Sequence, residues 1–125
     1  MYITKLPYDN DGLSVFIELC EVNNELHIEL SLCDGMGLER EIVFLTLKEY
    51  ETIFDNIGYS FLDMFYYMSD NGKEITVKGK GWGYMIVVKD PKSHQKYHVP
   101  LLFENRSAFE DAFYQMLEID FLYNL

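Results

Sequence analysis

The chain is poor in cysteine, proline and positive charge. Two cysteines, Cys20 and Cys33, in 125 residues do not make a secreted disulfide scaffold, and they read as small hydrophobes of a reducing compartment. Three prolines and eight glycines supply neither a linker nor a low-complexity tract. No stretch reaches the length of about 18 apolar residues that a membrane span needs. The richest run, residues 59–68, is interrupted by Asp63. Met1 to Pro7 holds one lysine and no apolar run, so no signal peptide is expected and a cytoplasmic protein is. Ten basic residues against 21 acidic ones give a net charge of −11, which disfavours direct nucleic-acid binding and favours a basic partner. No nucleophile, nucleotide-binding or metal fingerprint appears. Neither catalysis nor a cofactor is therefore expected.

The material for a folded core is present. Hydrophobic residues make up 49% of the chain and charged ones 25%, which excludes intrinsic disorder, and the length suits a single domain over residues 1–125. Leu13, Val15, Ile17 and Leu19 are apolar at odd positions, while Leu26, Ile28, Leu30 and Leu32 are apolar at even ones. That alternation is the signature of half-buried strands. A two-residue turn at Asn23-Asn24, both tolerant of positive φ, switches the parity and predicts pairs whose numbers sum to 47. Ile17 then opposes Leu30 and Leu19 opposes Ile28 on the inner face. Glu18 opposes Glu29, Cys20 opposes His27, and Phe16 opposes Ser31 on the outer one.

Asp34-Gly35-Met36-Gly37 makes a loop into a third strand, Leu38 to Leu45, with Ile42 and Phe44 expected on the core face. Tyr2 to Tyr8 adds an edge strand. Thr46 and Glu49 form a capping box for a helix carrying Tyr50, Ile53, Phe54 and Ile57, with Gly58 as its stop. Ser60 opens a predicted second helix through Met68. Ile75 to Val77, Trp82 to Val88 and Tyr97 to Phe103 read as strands, the last two joined by a turn at Asp90-Pro91-Lys92-Ser93. Ser107 and Glu110 form another capping box, with Phe109, Ala112, Phe113, Met116, Leu117 and Phe121 as the core stripe of a C-terminal helix. The expected fold is α+β: a mostly antiparallel twisted sheet of six or seven strands with two short central helices and a C-terminal helix packed on it.

Charge is unevenly spread. Residues 1–72 carry 14 acidic and 3 basic side chains, residues 73–103 carry 2 acidic side chains and 6 lysines, and residues 104–125 carry 5 acidic side chains and 1 arginine. The lysines Lys73, Lys78, Lys80, Lys89, Lys92 and Lys96 either answer the protein's own carboxylates and guard sheet edges, or make the molecule a dipole whose acidic side docks a basic partner.

The tightest cluster of chemically capable side chains is Glu18, Glu29, Cys20 and His27. Opposed carboxylates could raise one pKa for acid–base work, and the set could ligate a metal such as zinc. The simpler reading is a solvated sheet face, which lacks the walls of an active site. His94 and His98 have zinc spacing only on a helix, whereas this segment reads as turn into strand. Lys78-Gly79-Lys80-Gly81-Trp82-Gly83 lacks the spacing of a phosphate loop and reads as a tight hairpin, with Trp82 either packed or presented as an anchor. The apolar run ending in Tyr66, Tyr67 and Met68 is either a central helix or a patch for a partner or a second copy.

In size, acidity, aromatic content and lack of catalytic motifs the chain resembles two groups of small inhibitors. One is the immunity proteins that neutralise toxin nucleases. The other is phage-encoded anti-defence (anti-CRISPR) inhibitors, some of which mimic DNA with acidic surfaces. The resemblance implies a non-catalytic protein that occludes a basic partner, such as a nuclease. Steering would come from Glu18, Glu29, Glu39, Glu41, Glu49, Glu51, Asp55, Asp63 and Asp70, and anchors from Tyr66, Tyr67 and Trp82. The alternatives are a metal- or ligand-binding protein using the Glu18, Glu29, His27 and Cys20 face, and a homodimer joined through residues 59–68.

Overall fold

The computed structural model describes residues 1–36, 38–57 and 64–125, with the backbone alone described at 39 and 40. Eight strands and two α-helices are found among them. Strands β1 (Tyr2–Pro7), β2 (Ser14–Val22), β3 (Glu25–Cys33) and β4 (Glu39–Leu45) precede α1 (Leu47–Ile57). Strands β5 (Met64–Met68), β6 (Glu74–Lys80), β7 (Gly83–Lys89) and β8 (Lys96–Leu102) precede a 3-10 turn at Phe103–Asn105 and α2 (Arg106–Tyr123). The strands form two sheets of four, ordered β1-β2-β3-β4 and β5-β6-β7-β8, and every neighbour is antiparallel. The chain is thus the same plan twice, a four-stranded meander followed by a helix, although no sequence repeat announces it. The α+β class is as expected, with two sheets in place of one.

The β2–β3 hairpin has the expected register from Ser14↔Cys33 through Val22↔Glu25. Asn23 and Asn24 make its turn at φ of 53° and 65°, the left-handed pair that suits the strand twist. Loop contacts supply the next turn, where the Asp34 carboxylate accepts the N–H groups of Met36 and Leu38 at 2.9 and 3.0 Å. β4 then differs from expectation in phase. Val43 opposes Leu30 and Leu45 opposes Ile28, so Val43 and Leu45 are the buried pair, while Phe44 is 44% exposed. Opposed residues share a face, and the inner face was already fixed by Ile28 and Leu30.

Residues 64–68 are a strand and not the end of a helix; the rest of that predicted helix, residues 60–63, lies outside the described residues. Phe65 and Tyr67 are half-buried between exposed Met64, Tyr66 and Met68, a period of two that an aromatic-rich run satisfies on a pleated surface. β6 and β7 are joined by the two residues Gly81 and Trp82. Gly83 then passes so close to β8 that an added Cβ would lie 2.1 Å from the Leu101 carbonyl oxygen. The C-terminal helix starts one residue before Ser107, continuing out of the 3-10 turn, and its N-cap residue Asn105 makes no side-chain cap bond. Phe109, Ala112, Phe113 and Met116 are buried, but Leu117 and Phe121 are exposed. Only the first four of the six expected stripe residues face the core.

One apolar cluster unites both sheets and both helices, from Val15, Ile17, Ile28 and Leu30 through Tyr50 and Ile53 to Ile75, Ile86, Leu101, Phe109 and Phe113. Tyr50 stacks on Phe109 with ring centroids 4.3 Å apart and donates its hydroxyl to the Phe109 carbonyl. That burial pushes the Tyr50 phenol well above its ordinary pKa. The edges β4 and β8 run beside each other, and the Glu41 carboxylate accepts the His98 N–H at 2.7 Å. No described helix is long and apolar enough to cross a membrane.

Candidate functional site

The meander plan gives each sheet one inward and one outward face, and the two outward faces are opposite in character. In the first sheet one row crosses all four strands as Tyr2, Glu18, Glu29 and Phe44, and the next carries Lys5, Phe16, Ser31 and Ile42. The register makes the Glu18–Glu29 pair directly opposed, where side chains stand about 5 Å apart. Neither carboxylate makes an ion pair among the described residues; the one hydrogen bond between them and the face is from the Ser31 hydroxyl to Glu29, at 3.3 Å. The lysine of this face is spent elsewhere, since Lys5 Nζ sits 5.7 Å from the centre of the Phe16 ring. Tyr2 packs near the same ring at 6.2 Å. Two half-buried carboxylates, with no ion-pair partner among the described residues, thus lie between aromatic side chains on the outward face.

Cys20 and His27 are one pair further along, as the register requires. The Cys20 thiol points to the His27 carbonyl at 3.6 Å, and the imidazole Nδ1 lies 3.3 Å from the Glu25 carbonyl. Burial, and then the neighbouring Glu29 and Glu18 charges, push the Cys20 thiol up, so it is a poor nucleophile at neutral pH. Among the described residues no three His, Cys, Asp or Glu side chains gather as a metal site. The zinc reading of this face therefore has no converging ligand set.

The second sheet's outward face is basic and grooved. Its rows run Met64, Lys78, Met85, Pro100; Tyr66, Thr76, Val87, His98; and Met68, Glu74, Lys89, Lys96. A depression of about 280 Å³ is lined by Tyr66, Glu74, Lys78, Lys89 and Lys96 among others. Glu74 is already engaged, taking the Tyr66 hydroxyl at 2.9 Å and pairing with Lys89 at 3.6 Å. The hydrogen bond to Glu74 raises the Tyr66 phenol.

The remaining sequence-derived candidates fall into four groups. Glu51, Asp55 and Asp70 are exposed, Asp70 lying 3.8 Å from Lys48. Glu41 and Glu49 are structural in position. Glu49 is 2% exposed and makes the reciprocal capping box, accepting the Thr46 N–H at 2.8 Å while its own N–H reaches the Thr46 hydroxyl at 3.1 Å. The same oxygen is 3.1 Å from Lys73 Nζ, which also donates to the Phe44 carbonyl at 2.6 Å. Burial opposes the charge on Glu49, but the Ser69 hydroxyl, the Thr46 N–H and Lys73 outweigh it and hold the carboxyl below its usual range. Its second oxygen is buried and takes no bond of good geometry. Tyr67 faces inward against the core, and Trp82 sits at the hairpin tip, edge-on to Tyr8 at 5.4 Å. Asp63 lies outside the described residues, as does the side chain of Glu39.

Sequence reasoning found the carboxylate pair and missed its aromatic flanks. The hydrophobic pattern puts Phe44 on the core face and Tyr2 only on an edge strand. The signal that would have found Phe44 is the fixed parity of β3, which leaves Glu29 facing whichever residue opposes it on β4. Compared with protein-family models and with curated proteins, the chain matches none.

Proposed function

We propose that the protein is a non-catalytic binder that occludes a basic surface of a partner protein, of the kind that nucleases and other nucleic-acid-acting enzymes present. The observation that carries this reading is the row Tyr2, Glu18, Glu29, Phe44. Opposed like charges cost a sheet stability, and here no described cation offsets the cost. A guanidinium or ammonium group from outside would do so, and the flanking rings offer it a face for cation–π contact and apolar area for its stem. An acidic first half also steers such a partner on approach, which raises association rate more than affinity. The exposed Glu51 and Asp55 of α1 and Asp70 extend the negative field.

The test is capture from host extract on immobilised protein, compared with the Glu18→Lys, Glu29→Lys double variant, followed by kinetics on whatever the wild type retains. The expected result is a basic protein held in near-equal amount by the wild type and lost by the double variant, with an association rate that falls as salt rises. Retention unaffected by the charge reversal would overturn the reading. Uptake of zinc or manganese that depends on Glu18 and Glu29 would instead favour the ligand-binding alternative.

A further inference from the structure

A sheet edge is a row of unpaired N–H and C=O groups, and proteins blunt such edges with charge, proline, bulges or cover. Three of the four edges in this molecule are treated that way. β1 carries Lys5 and Pro7, bulges between Tyr2 and Thr4, and is packed by α2. β4 is bulged, runs beside β8, and gives its Phe44 carbonyl to Lys73. β8 carries Lys96 and Pro100, and its His98 N–H is capped by Glu41. Among the described residues β5 has none of these devices. Its sequence, Met64-Phe65-Tyr66-Tyr67-Met68, contains no charge and no proline, and it pairs with β6 in unbroken register. Among the described residues, no strand pairs with its other side and no backbone hydrogen bond outside the strands reaches it. Met64, Tyr66 and Met68 are 61%, 50% and 55% exposed along it.

We infer that β5 pairs antiparallel with β5 of a second copy of this chain, joining two four-stranded sheets into one of eight strands about a two-fold axis at Tyr66. The register follows from the strand itself. An axis at Tyr66 pairs all five residues and keeps outward side chains opposite outward ones, whereas a shift of one residue would set apolar against core-facing positions. Tyr66 then opposes Tyr66 of the second copy, and Met64 opposes its Met68. Charge is self-complementary: the row through Lys78 and Met64 continues across the axis into Met68 and Glu74 of the second copy. No like charges are opposed. This is the isologous contact that closed dimers use. An interface of one five-residue strand per copy belongs to the small class, below about 1,200 Å², so the dimer should dissociate on dilution.

The test combines sedimentation equilibrium with oxidation of single cysteines placed on β5, in a Cys20→Ser background that leaves Cys33 buried. Directly opposed Cα atoms in antiparallel strands are about 5 Å apart, within disulfide reach. The two Met64 positions would be four residues apart along the strands, about 13 Å, and out of reach. The expected results are a concentration-dependent dimer between micromolar and millimolar protein, rapid cross-linking of Tyr66→Cys, and about tenfold slower cross-linking of Met64→Cys. Tyr66→Lys, an exposed change that adds edge charge, should abolish the dimer with the circular dichroism spectrum unchanged. A monomer throughout that range, equal cross-linking at both positions, or a dimer that survives Tyr66→Lys would each overturn the inference. The first of these would leave a strand from another protein as the occupant of the edge.

Discussion

The two four-stranded meanders share a topology and differ in nearly everything that faces water. The first presents opposed carboxylates between aromatic rings. The second presents lysines around a groove, with its glutamate already paired. Inward, the two are interchangeable in kind, with aliphatic side chains alternating into one shared cluster. The comparison teaches that the plan of a meander is set by its inner parity and turns, while the outer parity is free to be spent on recognition. A single chain can therefore carry two unlike surfaces on two like frames.

The most forceful way to break the comparison is at the tie between the halves. Glu49 on α1 and Lys73, in the turn between β5 and β6, join with the end of β4. Removing one member of a buried pair costs about 3–5 kcal/mol. Glu49→Ala should therefore shift urea unfolding strongly, with circular dichroism and Trp82 fluorescence moving together; two separated transitions would show that the halves unfold apart. The same group sets an acid limit. Because the folded-state pKa of Glu49 is lowered, its contribution is complete above the usual carboxylate range and is lost as pH falls through the lowered value. Glu49→Gln should flatten that acid limb, which a pH series of melting temperatures would reveal.

Smaller effects sharpen the comparison. Glu18→Gln on the acidic face should raise stability by about 0.2–1 kcal/mol, since it relieves an opposed like-charge pair, while weakening capture of a basic partner. Chemical denaturation beside binding kinetics separates the two outcomes. Lys78→Glu on the other outward face should change stability least, within about 0.5 kcal/mol, and should leave that capture intact. A loss of capture equal to that of Glu18→Gln would mean that both faces meet the partner.

Much of this was legible in the sequence. The β2–β3 register followed from the alternation and from two adjacent asparagines, because a two-residue turn leaves no freedom in pairing. The Thr46–Glu49 capping box was equally plain, since its bonds are local. What stayed hidden was non-local. The phase of β4 depended on a bulge opposite Leu32 and Cys33, and a bulge leaves no mark in a hydrophobic pattern. Residues 64–68 read as helix because every one of them is apolar, and an all-apolar run has no period to measure. The burial of Glu49 required knowing that Lys73, 24 residues away, returns to it. Of the candidate site, the carboxylate pair was visible and its aromatic flanks were not.

The chain's one tryptophan stands where the two halves touch, on the β6–β7 tip with its edge toward Tyr8 of the loop after β1. Its indole is 36% exposed, so its emission senses both solvent and that neighbour. The molecule therefore carries a native optical gauge of closure between its halves. Any event that parts them, whether acid, denaturant or a partner prising at the seam, will register as a change in colour and in tyrosine-to-tryptophan energy transfer, without a label.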